Sequence, residues 1–371
     1  MSKPAEQLHE IVDLSTGAEE AGKRAGGSNR IGLLSVALLG IIFIISPEII
    51  GNAFTSMLDK VKPIVVDIFL MGNVGVSIIL SVMVGRALER MGFTDALIRL
   101  FVPLANRMKI NPAVVIPGVY NILGDINAAG RIGGPIMKQA GATRDEQCIA
   151  IATMVQSQQS FSCFMLGLIA LSLAGINAFP VVLCAVFAPL VIVPFVLSRT
   201  IYRNTRAVAL KDLPSFTPKT PPFQTIFQGA REGAELLFLL VIPAIAVIYS
   251  LIGLLDYIGV WKPFEQSLSG FLGFVGVHPG TGITAIMASP TLAMGQLQEI
   301  AASIDPRLVV GAFVLAASGL PLSDVLGQIP AIWSVNSDVT AREALTAAII
   351  GIIMRFITVT IIAFGLTPLL V

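Results

Sequence analysis

The sequence predicts an all-α polytopic membrane protein made of inverted repeats, each with an interfacial helix, a re-entrant hairpin and a broken transmembrane helix. Three observations carry that prediction. Of 371 residues, 55% are hydrophobic and 13% charged, with mean hydropathy +0.84, which is far from the balance of a soluble domain. Apolar runs near 31–50, 63–85, 147–174, 178–200, 234–255, 307–333 and 343–370 reach the roughly 20 residues that a helix needs to cross a hydrocarbon core. Two further apolar regions, 112–140 and 279–302, are interrupted in the middle.

Residues 1–29 are polar and hold Glu6, Glu10, Asp13, Glu19 and Glu20, unlike a secretory signal, which needs a short basic region followed at once by an apolar core. They are expected to form a cytoplasmic tail, with room for a short amphipathic helix near Leu8 to Leu14. Residues 30–86 follow as an N-terminal transmembrane pair, 87–203 as the first repeat, 204–230 as a cytoplasmic linker that is Pro-rich from Leu213 to Pro222, and 231–371 as the second repeat.

The interrupted regions decide the topology. In the first, Ala113 to Leu123 runs into Gly124-Asp125-Ile126-Asn127, so each arm has only about 10 residues, half of a crossing. The second has the same form around Ser289-Pro290-Thr291. Non-helical backbone is tolerated at membrane depth only where it lines a protein cavity, so both read as re-entrant hairpins. Leu88, Gly92 and Pro112 recur as Leu255, Gly259 and Pro279, at an offset of 167 residues. A hairpin returns to its starting side, so each repeat advances the chain by three crossings; three is odd, and the repeats should be inverted. Lysine and arginine agree: with the N-terminus inside, nineteen fall inside and only Lys60, Lys62, Lys262 and Arg307 outside, leaving Arg355 within a span. The expected location is a bacterial inner membrane, multi-pass, with a cytoplasmic N-terminus.

Several function classes lose support. Net charge is +1 and no basic stripe appears, so no nucleic-acid partner is expected. Cys148, Cys163 and Cys184 lack paired or metal-ligand spacing. With His9 and His278 the only histidines, no His-x-x-x-His helix exists. Ile122 stands where an intramembrane aspartyl protease would carry the upstream glycine of its motif. Neither an enzyme nor a resident cofactor is expected, and the partners are a small-molecule solute and the lipid bilayer. The interfacial helices and the extra N-terminal spans would suit a homo-oligomer.

Polar groups at membrane depth mark the candidate site. Asp125 and Asn127 sit where two half-helices meet; a charge there must face a cavity or a partner, although Asp125 also suits a helix cap. Gln156-Ser157-Gln158-Gln159-Ser160 places five polar residues in an apolar helix, where they would either recognise a solute through neutral donors and acceptors or bond to neighbouring helices. Ser318-Gly319-Leu320-Pro321-Leu322-Ser323-Asp324 places a break in the second half, where freed carbonyls can hold a cation. His278 precedes Pro279 as Asn111 precedes Pro112, a capping position. Arg355 lies 13 residues beyond Arg342, about 20 Å along a helix. It needs a carboxylate, backbone carbonyls or an anionic solute, and Asp324 on the preceding span is the expected partner, in a pair that gates access.

The order interfacial helix, hairpin, broken helix, span, repeated twice, with Ala288-Ser289-Pro290 at the second tip, resembles the nucleoside-recognition (Gate) domain membrane proteins and, more distantly, the core of concentrative nucleoside transporters. The resemblance covers roughly residues 60–371. It implies a secondary transporter working by alternating access on a small polar, nucleoside-like solute, coupled to Na+ or H+. The hairpin tips and helix breaks would then form the site: Asn127, Gln156, Gln158, Gln159, Ser289, Thr291, Ser318 and Ser323 for the solute, with Asp125, Asp324 and Arg355 for ion coupling and gating. Some Gate-domain relatives, such as spore maturation proteins, have structural or assembly roles, and that is the alternative.

Overall fold

The structure is a computed structural model that describes residues 32–38, 40–41, 43–124, 126–157, 160–208, 215–318 and 321–370, apart from the side chain of Asn127. The amphipathic helix expected near Leu8 to Leu14 lies outside the described residues. Among the described residues every regular element is helical.

The first half begins differently from its hydropathy pattern. Helical backbone over 32–45 ends at Ser46 and turns by 105° into α1 (Pro47–Leu70), because Pro47 has no N–H with which to continue the helix. A second break at Met71-Gly72 separates α1 from α2 (Asn73–Arg90). A Cβ at Gly72 would lie 2.6 Å from the Ile68 carbonyl oxygen, so the corner needs glycine. Breaks at 46 and 71–72 thus replace two simple spans at 31–50 and 63–85.

From Gly92 onward the expected order is present. Gly92 takes φ 84 and opens the amphipathic α3 (Phe93–Arg107). A 3-10 turn at Pro112–Val115 leads into α4 (Ile116–Leu123) and α5 (Ile126–Gln139), the two arms of the first hairpin. The first broken helix follows as α6 (Arg144–Gln156) and α7 (Phe161–Leu173), and α8 (Ala178–Arg199) is unbroken. The second half repeats the order. After the 36-residue α9 (Pro222–Tyr257) come α10 (Trp261–Phe274), hairpin arms α11 (Pro279–Met287) and α12 (Pro290–Ile300), and α13 (Pro306–Ala316). A π-turn at Asp324–Gln328 then leads into α14 (Ile329–Asn336), and α15 (Ala341–Leu369) closes the chain. Among the described residues α8, α9 and α15 are each long and apolar enough to cross a membrane, and α10 meets α11 at a 112° bend. The protein is an all-α polytopic membrane protein.

Helix α9 is the spine of the support. Its first half packs on α2, where glycines at 229 and 233 admit the backbones of Met83 and Ile79 and Arg86 bonds Glu232 at 2.6 Å. Its second half packs on α1, with Ser56 donating to the Gly253 carbonyl at 2.8 Å and Lys60 2.9 Å from Asp256. The helix starts at Pro222, inside the stretch expected as linker, because its polar first turns bind α2 instead of lipid. Residues 215–220 fold back on α3: Asp95 accepts from Phe216 N (2.8 Å) and Thr217 N (3.2 Å) and from the hydroxyls of Ser215 and Thr217.

The hairpins cross between halves. The second arm of hairpin 1, α5, lies on α14, the far half of the second broken helix; α12 of hairpin 2 lies on α7, the far half of the first. A Cβ on Gly130 would come 2.9 Å from Ile332 Cγ2, and one on Gly167 would come 2.4 Å from Phe313. These small residues therefore bring the two halves into contact at their breaks.

Candidate functional site

Each hairpin is opened by a side-chain cap. Asn111 accepts from Ala113 N at 3.0 Å and donates to the Ala140 carbonyl at 2.8 Å, while its own N–H donates to Glu146 at 2.9 Å. His278 Nδ1 accepts from Thr281 N at 3.4 Å. The matched positions of Asn111 and His278 serve the capping role that the sequence predicts for them. At the second tip Ser289 caps α12, accepting from Leu292 N at 3.5 Å, and Thr291 is buried in its first turn.

At the first break α6 stops at Gln156. Ser157 is extended at ψ 166, and its hydroxyl donates to the Met154 carbonyl at 2.8 Å. Ser160 takes φ 72 and ψ 142, a strained position for a residue with a side chain, and its N–H donates to the Asn121 carbonyl of hairpin 1 at 3.4 Å. Gln156 is fully buried; its amide donates to the Gly351 carbonyl at 2.7 Å, while its Oε1 has no hydrogen-bond partner among the described residues. The same holds for Asn121 Oδ1 and the Ser162 hydroxyl. Buried polar atoms without partners are uncommon, and three of them gather at this junction of α4, α6 and α7.

At the second break α13 stops at Ala316, and the buried Ser318 turns its hydroxyl back on the Leu315 carbonyl. Ser323 is exposed and lies 3.4 Å from the buried Asp324 carboxylate.

Arg355 differs from expectation. It is fully buried, and its Nε donates to Val314 O at 2.7 Å, Nη1 to Gln156 O at 2.8 Å and Ala185 O at 2.7 Å, and Nη2 to Ala317 O. No ion pair joins Arg355 to Asp324 among the described residues, which corrects the expected gating pair. Gln156 ends α6, Val314 lies in the last turn of α13 and Ala317 just beyond it; helix ends leave carbonyls without intrahelical partners, and these reach the guanidinium first. Gly351, one turn before Arg355, permits the approach, since a Cβ there would lie 2.9 Å from Ala152 O and 3.1 Å from Val155.

The structure thus brings Gln156, Arg355 and the backbone beside Ser318 together, and sets Ser289, Thr291 and Ser323 elsewhere on the hairpin tip and break. Asp125, Gln158 and Gln159 lie outside the described residues, as does the side chain of Asn127. Asn121, Ser162, Ala185 and Gly351 join the site without having been expected. Only Gly351 carried a signal, standing four residues before a lone intramembrane arginine.

These features define a helical membrane protein whose first hairpin and two broken helices meet at a buried polar centre. No family model matches the sequence, and no curated protein matches it. Among solved structures, CNTnw in an inward-facing substrate-bound state superposes with a TM-score of 0.57 at 13% identity, covering 88% of this chain and 85% of that one. A variant of CNTnw in an outward-facing state gives 0.55 at 12% identity, over 88% and 85% of the two chains. CNTnw is a concentrative nucleoside transporter, and the likeness establishes a shared fold.

Proposed function

We propose that the chain is a secondary transporter of a small, polar, nucleoside-like solute, working by alternating access. The observation that carries this reading is the first break, where Asn121 Oδ1, Gln156 Oε1 and the Ser162 hydroxyl are buried without partners among the described residues beside a strained Ser160. Neutral acceptors of that kind match the hydroxyl and amide donors of an uncharged solute. By their place in the sequence, Asn127, Gln158 and Gln159 add to this surface, with Ser289, Thr291, Ser318 and Ser323 opposite. A coupling Na+ or H+ belongs at the first hairpin tip or at the second-half break, with Asp125 and Asp324 as its acidic candidates. The reading includes membership of the Gate-domain group, residence in a bacterial inner membrane with the N-terminus cytoplasmic, and inverted repeats.

The test is a thermal-shift screen of the purified protein against nucleosides, nucleobases, amino acids, organic acids and small amines, followed by uptake of any binder into proteoliposomes. A nucleoside should raise the Tm by mass action and enter saturably under an imposed Na+ or H+ gradient. Neither stabilisation nor saturable flux with any class would favour the assembly role instead.

A further inference from the structure

We propose that Arg355 is a built-in cation, a guanidinium tethered to α15 that occupies the point where both broken helices end and closes it to any free ion. The proposal goes beyond the transport reading and stands whether or not the chain moves a solute.

Breaking a membrane helix strands its last carbonyls, and such oxygens are the usual ligands of hard cations in broken-helix proteins. Here two helices end against each other, which doubles the problem. The carbonyl of Gln156 terminates α6, and those of Val314 and Ala317 terminate α13; all three accept from Arg355, with Ala185 O of the π-turn in α8 as a fourth acceptor. Four of the five guanidinium donors are therefore engaged by carbonyls, and a side chain with 0% exposure offers no open face to an anionic solute.

The charges balance without a carboxylate. An α-helix carries roughly −0.5 of an elementary charge at its C-terminus, so two C-termini aimed at one guanidinium together supply about the single negative charge that the buried cation requires. The planar fork suits this centre better than an ammonium would, since its donors diverge toward acceptors on three separate helices. A neutral residue at 355 would leave the stranded carbonyls facing each other in an apolar interior. The centre should then bind a free guanidinium ion.

The experiment uses the full chain in detergent or nanodiscs and compares wild type with Arg355→Ala, Arg355→Lys and Arg355→Gln. Melting is followed at equal ionic strength in choline chloride and in choline chloride with guanidinium chloride in the tens of millimolar. Arg355→Ala should lose about 5–10 °C of Tm and recover at least half of the loss, saturably, with guanidinium, which should not raise the wild-type Tm. Arg355→Lys, which keeps a charge, should melt above Arg355→Gln, which keeps only size and polarity. Should Arg355→Ala fail to fold, the ranking of lysine over glutamine decides. Absence of guanidinium rescue in a folded Arg355→Ala, or glutamine equal to or better than lysine, overturns the proposal.

Discussion

The two helix breaks follow the same chain order and differ in where their polar groups lack partners. At the second, Ser318 bonds back to Leu315 and the Val314 and Ala317 carbonyls are taken by Arg355, so the point where α13 stops is satisfied; the atoms without partners among the described residues, Gln328 Oε1 and Trp333 Nε1, lie further on, in the π-turn and α14. At the first, among the described residues, only the Gln156 carbonyl is so taken, while three polar side-chain atoms around it have no partner and Ser160 is held at positive φ. A satisfied junction rigidifies a core, whereas an unsatisfied one costs stability unless something else fills it. The difference makes the end of α13 a fixed point of the fold and leaves the side chains at the end of α6 free to respond to a ligand under the proposed function.

The largest expected effect tests the satisfied side. Arg355→Gln strands several buried carbonyls at once, and about 3–5 kcal/mol of stability should be lost, read as a lower midpoint of chemical unfolding in mixed micelles. Because no ion pair joins Asp324 to Arg355 among the described residues, adding Asp324→Asn should restore nothing, and the two effects should add within about 0.5 kcal/mol. Mutual rescue would bring back the carboxylate–guanidinium pair and erase the contrast between the breaks.

A smaller loss should come from Gly351→Ala. The new methyl would press on Ala152 O and Val155 and spread α15 from α6, costing about 1–3 kcal/mol by overpacking. It should also lengthen the Arg355 contacts to α6 more than those to α13. Hydrogen exchange should accordingly loosen the end of α6 first.

The unsatisfied side should respond in ligand binding instead of stability. Replacing Gln156 by Met removes an orphaned acceptor together with one amide bond to Gly351, a change of about 1 kcal/mol either way. The thermal shift produced by a solute should nevertheless disappear. A stability loss as large as that of Arg355→Gln, with the solute shift intact, would show that the first break is structural as well.

Much of this was legible in the sequence. Short apolar arms around Gly124 and Ser289, the prolines at 112 and 279, the polar run from Gln156 and the Gly-Pro stretch from Ser318 to Asp324 located both hairpins and both breaks, because such residues disrupt a helix by their own chemistry. The partner of Arg355 was not legible. Pairing opposite charges along the chain nominates Asp324, but the acceptors are backbone carbonyls, which every residue carries and which a helix end exposes only after folding. The corner at Met71-Gly72 was hidden for a related reason, since hydropathy continues through it unbroken. Nor does the sequence announce that the polar first turns of α9 bind α2, because Arg86 and Glu232 stand 146 residues apart.

The smallest expected effect lies outside the breaks, where the linker between the halves is pinned to α3. Partial burial opposes the charged form of Asp95, yet hydrogen bonds from Thr217, Phe216 and Ser215 outweigh it and hold the carboxyl below its usual value. A depressed folded pKa means that this anchor contributes fully above the unfolded carboxylate value of about 4 and is lost only as pH falls through the lower folded value. Protection of the Phe216 and Thr217 amides against hydrogen exchange, corrected for intrinsic rates, should therefore stay level from neutral pH down to that unfolded value and drop below it. Asp95→Asn cannot accept through two charged oxygens, so its protection should start lower and show no acid step. Because Asp95 grips the linker and touches neither break, this variant should leave both the stability effect of Arg355→Gln and the solute shift lost with Gln156→Met unchanged. A change in either would mean that the linker conveys force into the breaks, and that their contrast is set partly from the linker side.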